Sequence, residues 1–214
     1  ILNQTDRGKN LTRNLVAFAK DQEPRQTYFH ISEKIDLVMD LMKKDLSGIE
    51  VVRRDDPGVP TLLADPGMIE HVLVNMIQNA IHATSKTPAP KISVSTACRD
   101  ESVIIEIEDN GCGIPDAHIE NIYDPSFTLK GSMDATGSYR TGIKGTGYGM
   151  ANVKKYIEQH KGDISVSSGF GDGTRFTISL PVVRKALSEE EKQEIDTTGQ
   201  HTGRHILLVE DEPE

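Results

Sequence analysis

A chain of 214 residues that is 36% apolar and carries a formal net charge of −9 has room for one ordinary domain with appendages. Its acidity argues against duplex DNA or an anionic membrane surface as the main partner. Cys98 and Cys112 are its two cysteines and make no Cys-x-x-Cys or Cys/His metal spacing, which fits a reducing cytosol with neither thiol needed for structure.

No run reaches the length of a membrane helix and no signal peptide precedes the first residue. The chain begins at Ile1 without Met and stops inside an apparent motif, so it reads as a piece of a longer protein whose sensor or anchor would lie upstream.

Taken in order, residues 1–20 place Leu2, Leu11, Leu15, Val16 and Phe18 among polar residues and read as an amphipathic helix. Residues 21–24 break that pattern. Residues 27–31 alternate as a short strand, and Ser32 is the expected N-cap of a helix to about Leu46. Its expected buried face is Ile35, Leu37, Val38, Leu41, Met42 and Leu46. Residues 49–53 and 61–64 read as neighbouring strands turned by D-D-P-G. Asp65-Pro66 then supplies a cap and a first-turn proline to a helix with a core stripe of Ile69, Val72, Leu73, Met76, Ile77, Ala80 and Ile81. Asn75 and Asn79 share one face of it, as do Gln78 and His82. Two neutral amides on a core-facing helix call for a ligand, although helix-packing amides would leave the same trace.

Residues 91–97 and 103–108 read as paired strands, with Val103, Ile105 and Ile107 on a buried face. Asp109 stands where the second strand ends, and Asn110, Gly111 and Gly113 let the backbone pass close to a flat ligand. A carboxylate there would accept a hydrogen bond from the exocyclic amine of adenine, where guanine presents a carbonyl oxygen. A plain tight turn is the competing reading of D-N-G. Pro115 opens a short helix to about Tyr123. Residues 131–143, rich in Gly, Ser and Thr, read as a movable cover whose Arg140, with Lys144 just after it, offers positive charge for a phosphate; a charged loop without a ligand is the alternative. Gly145, Gly147 and Gly149 alternate with Thr146 and Tyr148 and open a helix, an arrangement that presents unpaired N–H groups to phosphate. Neither the Walker nor the Rossmann pattern is present. Residues 163–168 and 174–180 read as a final hairpin. After Pro181 the composition is that of a linker, and R-H-I-L-L-V-E-D-E-P follows it.

Five stretches occur in a fixed order: N-M-I-Q-N-A (75–80), D-N-G-C-G-I (109–114), P-S-F-T-L-K (125–130), G-T-G-Y-G-M (145–150) and G-D-G-T-R-F (171–176). That series resembles the ATP-binding domain of sensor histidine kinases, in the wider family shared with DNA gyrase, heat-shock chaperone and mismatch-repair ATPases, over roughly residues 25 to 183. The resemblance implies a two-layer α/β (α+β) sandwich of the Bergerat type, a mixed sheet with helices on one face. It implies ATP and Mg²⁺ as ligands, with the metal on Asn79 and with Asn75 and Lys130 taking part in transfer. The nucleotide pocket would comprise Asn75, Asn79, His82, Asp109, Gly111, Gly113, Ile114, Phe127, Lys130, Lys144, Gly145, Thr146, Gly147, Tyr148, Gly149, Met150 and Thr174. Ser126 departs from the family's usual aromatic. Where the gyrase-like relatives have a water-activating glutamate, this chain has Asn75, and an amide cannot take up a proton. The pocket is therefore expected to hold ATP for transfer to a histidine on an upstream helix rather than to hydrolyse it. Glu70 is a further candidate for orienting that histidine.

By the same resemblance, residues 1–24 would end the dimerisation and phosphoacceptor helix, 25–183 form the catalytic domain, 184–203 a linker and 204–214 the start of a receiver domain, where Glu210 and Asp211 would bind Mg²⁺. The implied partners are the protein's own phosphoacceptor domain, a receiver domain or response regulator, and a second copy in a homodimer, with no nucleic acid. The implied location is cytoplasmic, with an anchor upstream. An ATP-sensing module without phosphotransfer and a gyrase-like ATPase are the alternatives.

Overall fold

A computed structural model of the chain describes residues 23–183. The chain divides into a unit ending at Val182 and a second unit, Val183–Glu214, of which Val183 alone is described. The expected helix over residues 1–20, the linker and the strand with Glu210 and Asp211 lie outside the described residues.

The strands are β1 (Thr27–Phe29), β2 (Glu50–Asp55), β3 (Leu62–Ala64), β4 (Lys91–Arg99), β5 (Ser102–Asp109), β6 (Asp163–Gly169) and β7 (Gly173–Pro181). The α-helices are α1 (Ile31–Leu41), α2 (Pro66–Ala83) and α3 (Gly149–Gln159). Five strands form one sheet in the order β2-β4-β5-β7-β6, while β1 and β3 pair separately. The sheet is mixed because β2 runs parallel to β4 and the other neighbours are antiparallel. Register explains its single apolar face. Val94, Ile107 and Phe176 stand in one row across β4, β5 and β7, and Thr96, Ile105 and Ile178 in the next. All six are buried, and the five apolar ones share one core with Ile69, Val72, Leu73, Met76 and Ile77 of α2 and Val153, Tyr156 and Ile157 of α3. On the opposite face Arg175 pairs with Glu108 at 2.9 Å, a solvated arrangement. Among the described residues helices thus cover one face of the sheet, the two-layer architecture expected.

The cap of α2 forms as expected: Asp65 Oδ1 accepts from the Met68 amide at 3.0 Å, with Pro66 in the first turn. Several expectations are corrected. His30, without a side-chain cap bond, precedes α1 in place of Ser32. Leu37 and Leu41 are 43% and 70% exposed; the helix ends at Leu41, and the buried positions Ile31, Ile35, Val38 and Met42 repeat every three to four residues, which turns both leucines away from that stripe. The two strands around D-D-P-G are not neighbours. β2 pairs with β4 and β3 with β1, because a turn signal specifies a change of direction, whereas pairing is decided by distant contacts such as Thr96 Oγ1 donating to Asp55 Oδ1 at 2.7 Å. The segment after Pro115 is a 3₁₀ turn, Asp116–Asn121.

The β4–β5 hairpin turns through Asp100 and Glu101, both left-handed at φ 47° and 62°. A two-residue turn with two positive φ angles suits Asn-Gly best. Replacing Asp100-Glu101 by Asn-Gly should stabilise the domain by about 1 kcal/mol, read as a higher urea midpoint; an unchanged or lower midpoint would show that this turn carries no strain.

Candidate nucleotide site

One side of α2 packs on the sheet and the adjoining side, with His71, Asn75, Gln78, Asn79 and His82, lines a cavity of about 670 Å³. Asp109, Gly113 and Ile114, residues 127–130, Lys144, Gly145, Thr146, Gly147, Gly149, Met150, Thr174 and Phe176 complete much of its wall. The carboxylate of Asp109 and the amide of Asn79 therefore share one space.

At one end, β5 delivers Asp109 buried, with Oδ1 accepting from the Gly111 amide at 2.8 Å. Burial pushes its pKa up to about 7, and the amides of Gly111 and Thr174 pull against that rise. The loop beyond is held on both sides. Cys112 donates its N–H to Ala83 O at 3.1 Å, and Ile114 donates to Ser168 Oγ at 2.9 Å. Gly113 has φ +68°, and a Cβ there would lie 1.9 Å from Gly169 O, so no other residue fits. Gly111 serves the same packing against Ala83 and is not among the cavity-lining residues.

At the other end, α3 starts at Gly149 with no side-chain cap bond, which leaves its first amides for a ligand. Gly147 has φ +77°, and a Cβ would meet the Ser126 backbone at 2.4 Å. Tyr148 stays out of the lining; its hydroxyl accepts from Ser126 Oγ at 2.9 Å, so the serine that replaces an aromatic ties the 125–130 loop to the glycine turn. Asn75 donates through Nδ2 to His71 O at 2.8 Å and meets His71 Nδ1 at 3.1 Å. That fixes its amide, with Oδ1 beside Gly149.

Lys130 lies between the ends. Its Nζ donates to Asn79 Oδ1 at 2.6 Å and lies 3.1 Å from His82 Nδ1. Burial pushes Lys130 down to about 8, and burial together with Lys130 pushes His82 down to about 3, leaving that imidazole neutral. Asn79 Nδ2 bonds Met150 Sδ at 3.1 Å.

The lid is built on Asp134, whose carboxylate accepts from the amides of Ser138 and Tyr139 at 2.9 and 3.0 Å. It is moored to the 3₁₀ turn Thr84–Lys86 that follows α2, where Lys86 bonds Gly137 O and Ser85 accepts from the Arg140 amide. Lys144 lines the cavity; Arg140 is exposed and does not. Glu70 is paired with Lys34 at 2.9 Å, away from the lining. Sequence reasoning missed His71 and Tyr139, which both line the cavity. His71 could have been found one helical turn before Asn75, and Tyr139 as an aromatic inside a glycine- and serine-rich loop.

The class defined by this anatomy is a two-layer domain in which a sheet-covering helix, a strand-end carboxylate and a glycine-opened helix enclose a pocket under a lid. Residues 64–184 match the family described as histidine kinase-, DNA gyrase B- and HSP90-like ATPase, and the chain belongs to that family. It is 30% identical over 184 residues to the sensor histidine kinase ZraS of Salmonella typhimurium, covering 85% of this chain and 37% of that relative. The chain thus spans little more than a third of that protein's length. The catalytic domain of histidine kinase ThkA superposes with a TM-score of 0.61 at 28% identity, over 73% of this chain and 97% of that one. A structure of ThkA in complex with response regulator protein TrrA gives 0.65 at 22% identity, over 87% and 50%, a likeness of fold. No helix among the described residues is long and apolar enough to cross a membrane.

Because the folded pKa of Asp109 lies above its ordinary value, the folded state holds the extra proton between about pH 4 and 7, and stability falls as pH rises through that window. Asp109→Asn keeps an acceptor for Gly111 without the buried charge. It should flatten the profile and exceed the wild type at pH 8 by up to about 4 kcal/mol, measured as urea midpoints from pH 4 to 8; parallel profiles would mean that Asp109 is not strained by burial.

Proposed function

We propose that this domain binds Mg·ATP and that, in the longer protein, it passes the γ-phosphoryl group to a histidine on a helix upstream of the described residues. The observation that carries the reading is the shared cavity: a buried strand-end carboxylate and a helix amide line one space that an uncapped helix start also enters. The names of the relatives support it, since ZraS and ThkA are histidine kinases.

Asp109 would accept the adenine amine, with Thr174 and Ile114 beside it and Phe127 closing the cavity wall. The amides from Gly145 to Met150 would hold phosphate oxygens, and Lys130 and Lys144 would offset their charge. No group of three or more His, Cys, Asp or Glu side chains among the described residues could hold a metal by itself. A magnesium ion carried by phosphates and water needs only one or two protein oxygens, and Asn79 Oδ1, already accepting from an ammonium, fits that demand. When bound, the ion would neutralise triphosphate charge. Asn75 offers no site for a water's proton, so the pocket favours transfer over hydrolysis. In the transfer an imidazole nitrogen bonds the γ-phosphorus as its bond to the β–γ bridging oxygen breaks, and ADP leaves.

Residues 1–24 as the end of the phosphoacceptor helix, 184–203 as a linker and 204–214 as the start of a receiver domain complete the proposal. It includes a homodimer, a response regulator or receiver domain as phosphate acceptor, and a cytoplasmic position for this domain. Incubating the protein extended upstream with γ-labelled ATP should give an acid-labile label on histidine. ATP bound without such label would leave a nucleotide-sensing module, and rapid steady hydrolysis by this chain would make it a gyrase-like ATPase. By calorimetry the wild type should prefer ATP to GTP, and Asp109→Asn should erode that preference at least tenfold; an unchanged ratio would remove Asp109 as the purine reader.

A further inference from the structure

The ammonium of Lys130 is the cation of the cavity that touches the oxygen assigned above to the metal. Its bond to Asn79 Oδ1, at 2.6 Å, is its shortest; the neutral His82 ring lies at 3.1 Å and the Tyr139 ring 5.9 Å to the centroid, while Cys112 and Asp109 act on its charge without an ion pair to it. Among the ion pairs of the described residues none holds Lys130. A buried ammonium on a neutral amide is a charge waiting for an anion.

Resting on the nucleotide reading above, the geometry points to Lys130 as an intrinsic counter-cation: it holds Asn79 Oδ1 and must leave that oxygen when a metal-bound nucleotide takes it. An ammonium and a magnesium ion on the same oxygen would stand about 4 Å apart, and in a water-poor cavity two cations at that separation repel strongly. The phosphates offer the displaced side chain a better partner than the amide does. The means to move are local. Lys130 has a flexible stem, stands where the 125–130 loop passes into the 131–143 segment, and is followed by Gly131 at φ +71°.

Lysine and metal then compete, so each weakens the other's contribution to holding the diphosphate, and coupling between metal and nucleotide is damped in the wild type. The experiment measures ADP affinity by calorimetry with excess Mg²⁺ and with EDTA, for the wild type, Lys130→Met and Lys144→Met. The ratio of the two affinities should rise at least tenfold in Lys130→Met, mostly through lost binding in EDTA. In Lys144→Met, a cavity lysine with no bond to Asn79, both affinities should fall together. A ratio in Lys130→Met equal to the wild-type ratio would overturn the inference and leave Lys130 a simple phosphate ligand. Thermal melting checks that the variants are folded, and Lys130→Gln replaces Lys130→Met if the latter is not. Wild type that binds no ADP in either condition would remove the nucleotide reading itself, and this inference with it.

Discussion

One helix has to satisfy two surroundings at once, and the rest of the domain follows from that constraint. Ile69, Val72, Leu73, Met76, Ile77 and Ala80 bind α2 to the apolar face of the sheet, while His71, Asn75, Asn79 and His82, on the adjoining side, line the cavity. The helix cannot rotate to rescue a misplaced amide without exposing its core stripe. Its start is fixed by Asp65, which also receives the Arg25 amide at 2.8 Å, and its end by the loop that leans on Ala83. The position of Asn79 is thereby set by hydrocarbon packing and not by the polar groups around it.

Electrostatics inside the pocket reflect sparse charge in a dry place. Burial lifts Asp109 toward neutrality and lowers Lys130, and the neighbouring His82 stays uncharged. Each shift runs against the ionised form, so the cavity is a poor home for the charges that its own side chains bring to it. A ligand with an amine at one end and phosphates at the other would relieve both. The glycines at 113 and 147 let the loops close around such a ligand where any Cβ would strike backbone.

Much of this was legible in the sequence because it is local. The alternation of Val103, Ile105 and Ile107 fixed the buried face of β5, Asp65-Pro66 fixed the start of α2, and the order of five short boxes identified the family. The readings that failed depended on partners far along the chain. Nothing near residues 50–64 says that β2 lies beside β4, and the apolar character of Leu37 and Leu41 hid the fact that Ile31, Ile35, Val38 and Met42 already complete the buried stripe. Within the site, the residue types were readable, but the bond between Lys130 and Asn79 joins residues 51 positions apart, and Tyr139 gained its place through a lid whose shape is set by Asp134.

The central claim is that the strand-end carboxylate and the helix amide grip opposite ends of one metal-bound nucleotide. Its most direct test is a crystal structure of this chain with ADP and Mn²⁺, using the manganese anomalous signal to locate the ion. The account predicts the adenine amine within hydrogen-bond distance of Asp109 and the anomalous peak beside Asn79 Oδ1, with phosphates at the start of α3. Nucleotide bound outside the cavity, or manganese on the phosphates with Asn79 still held by Lys130, would contradict it.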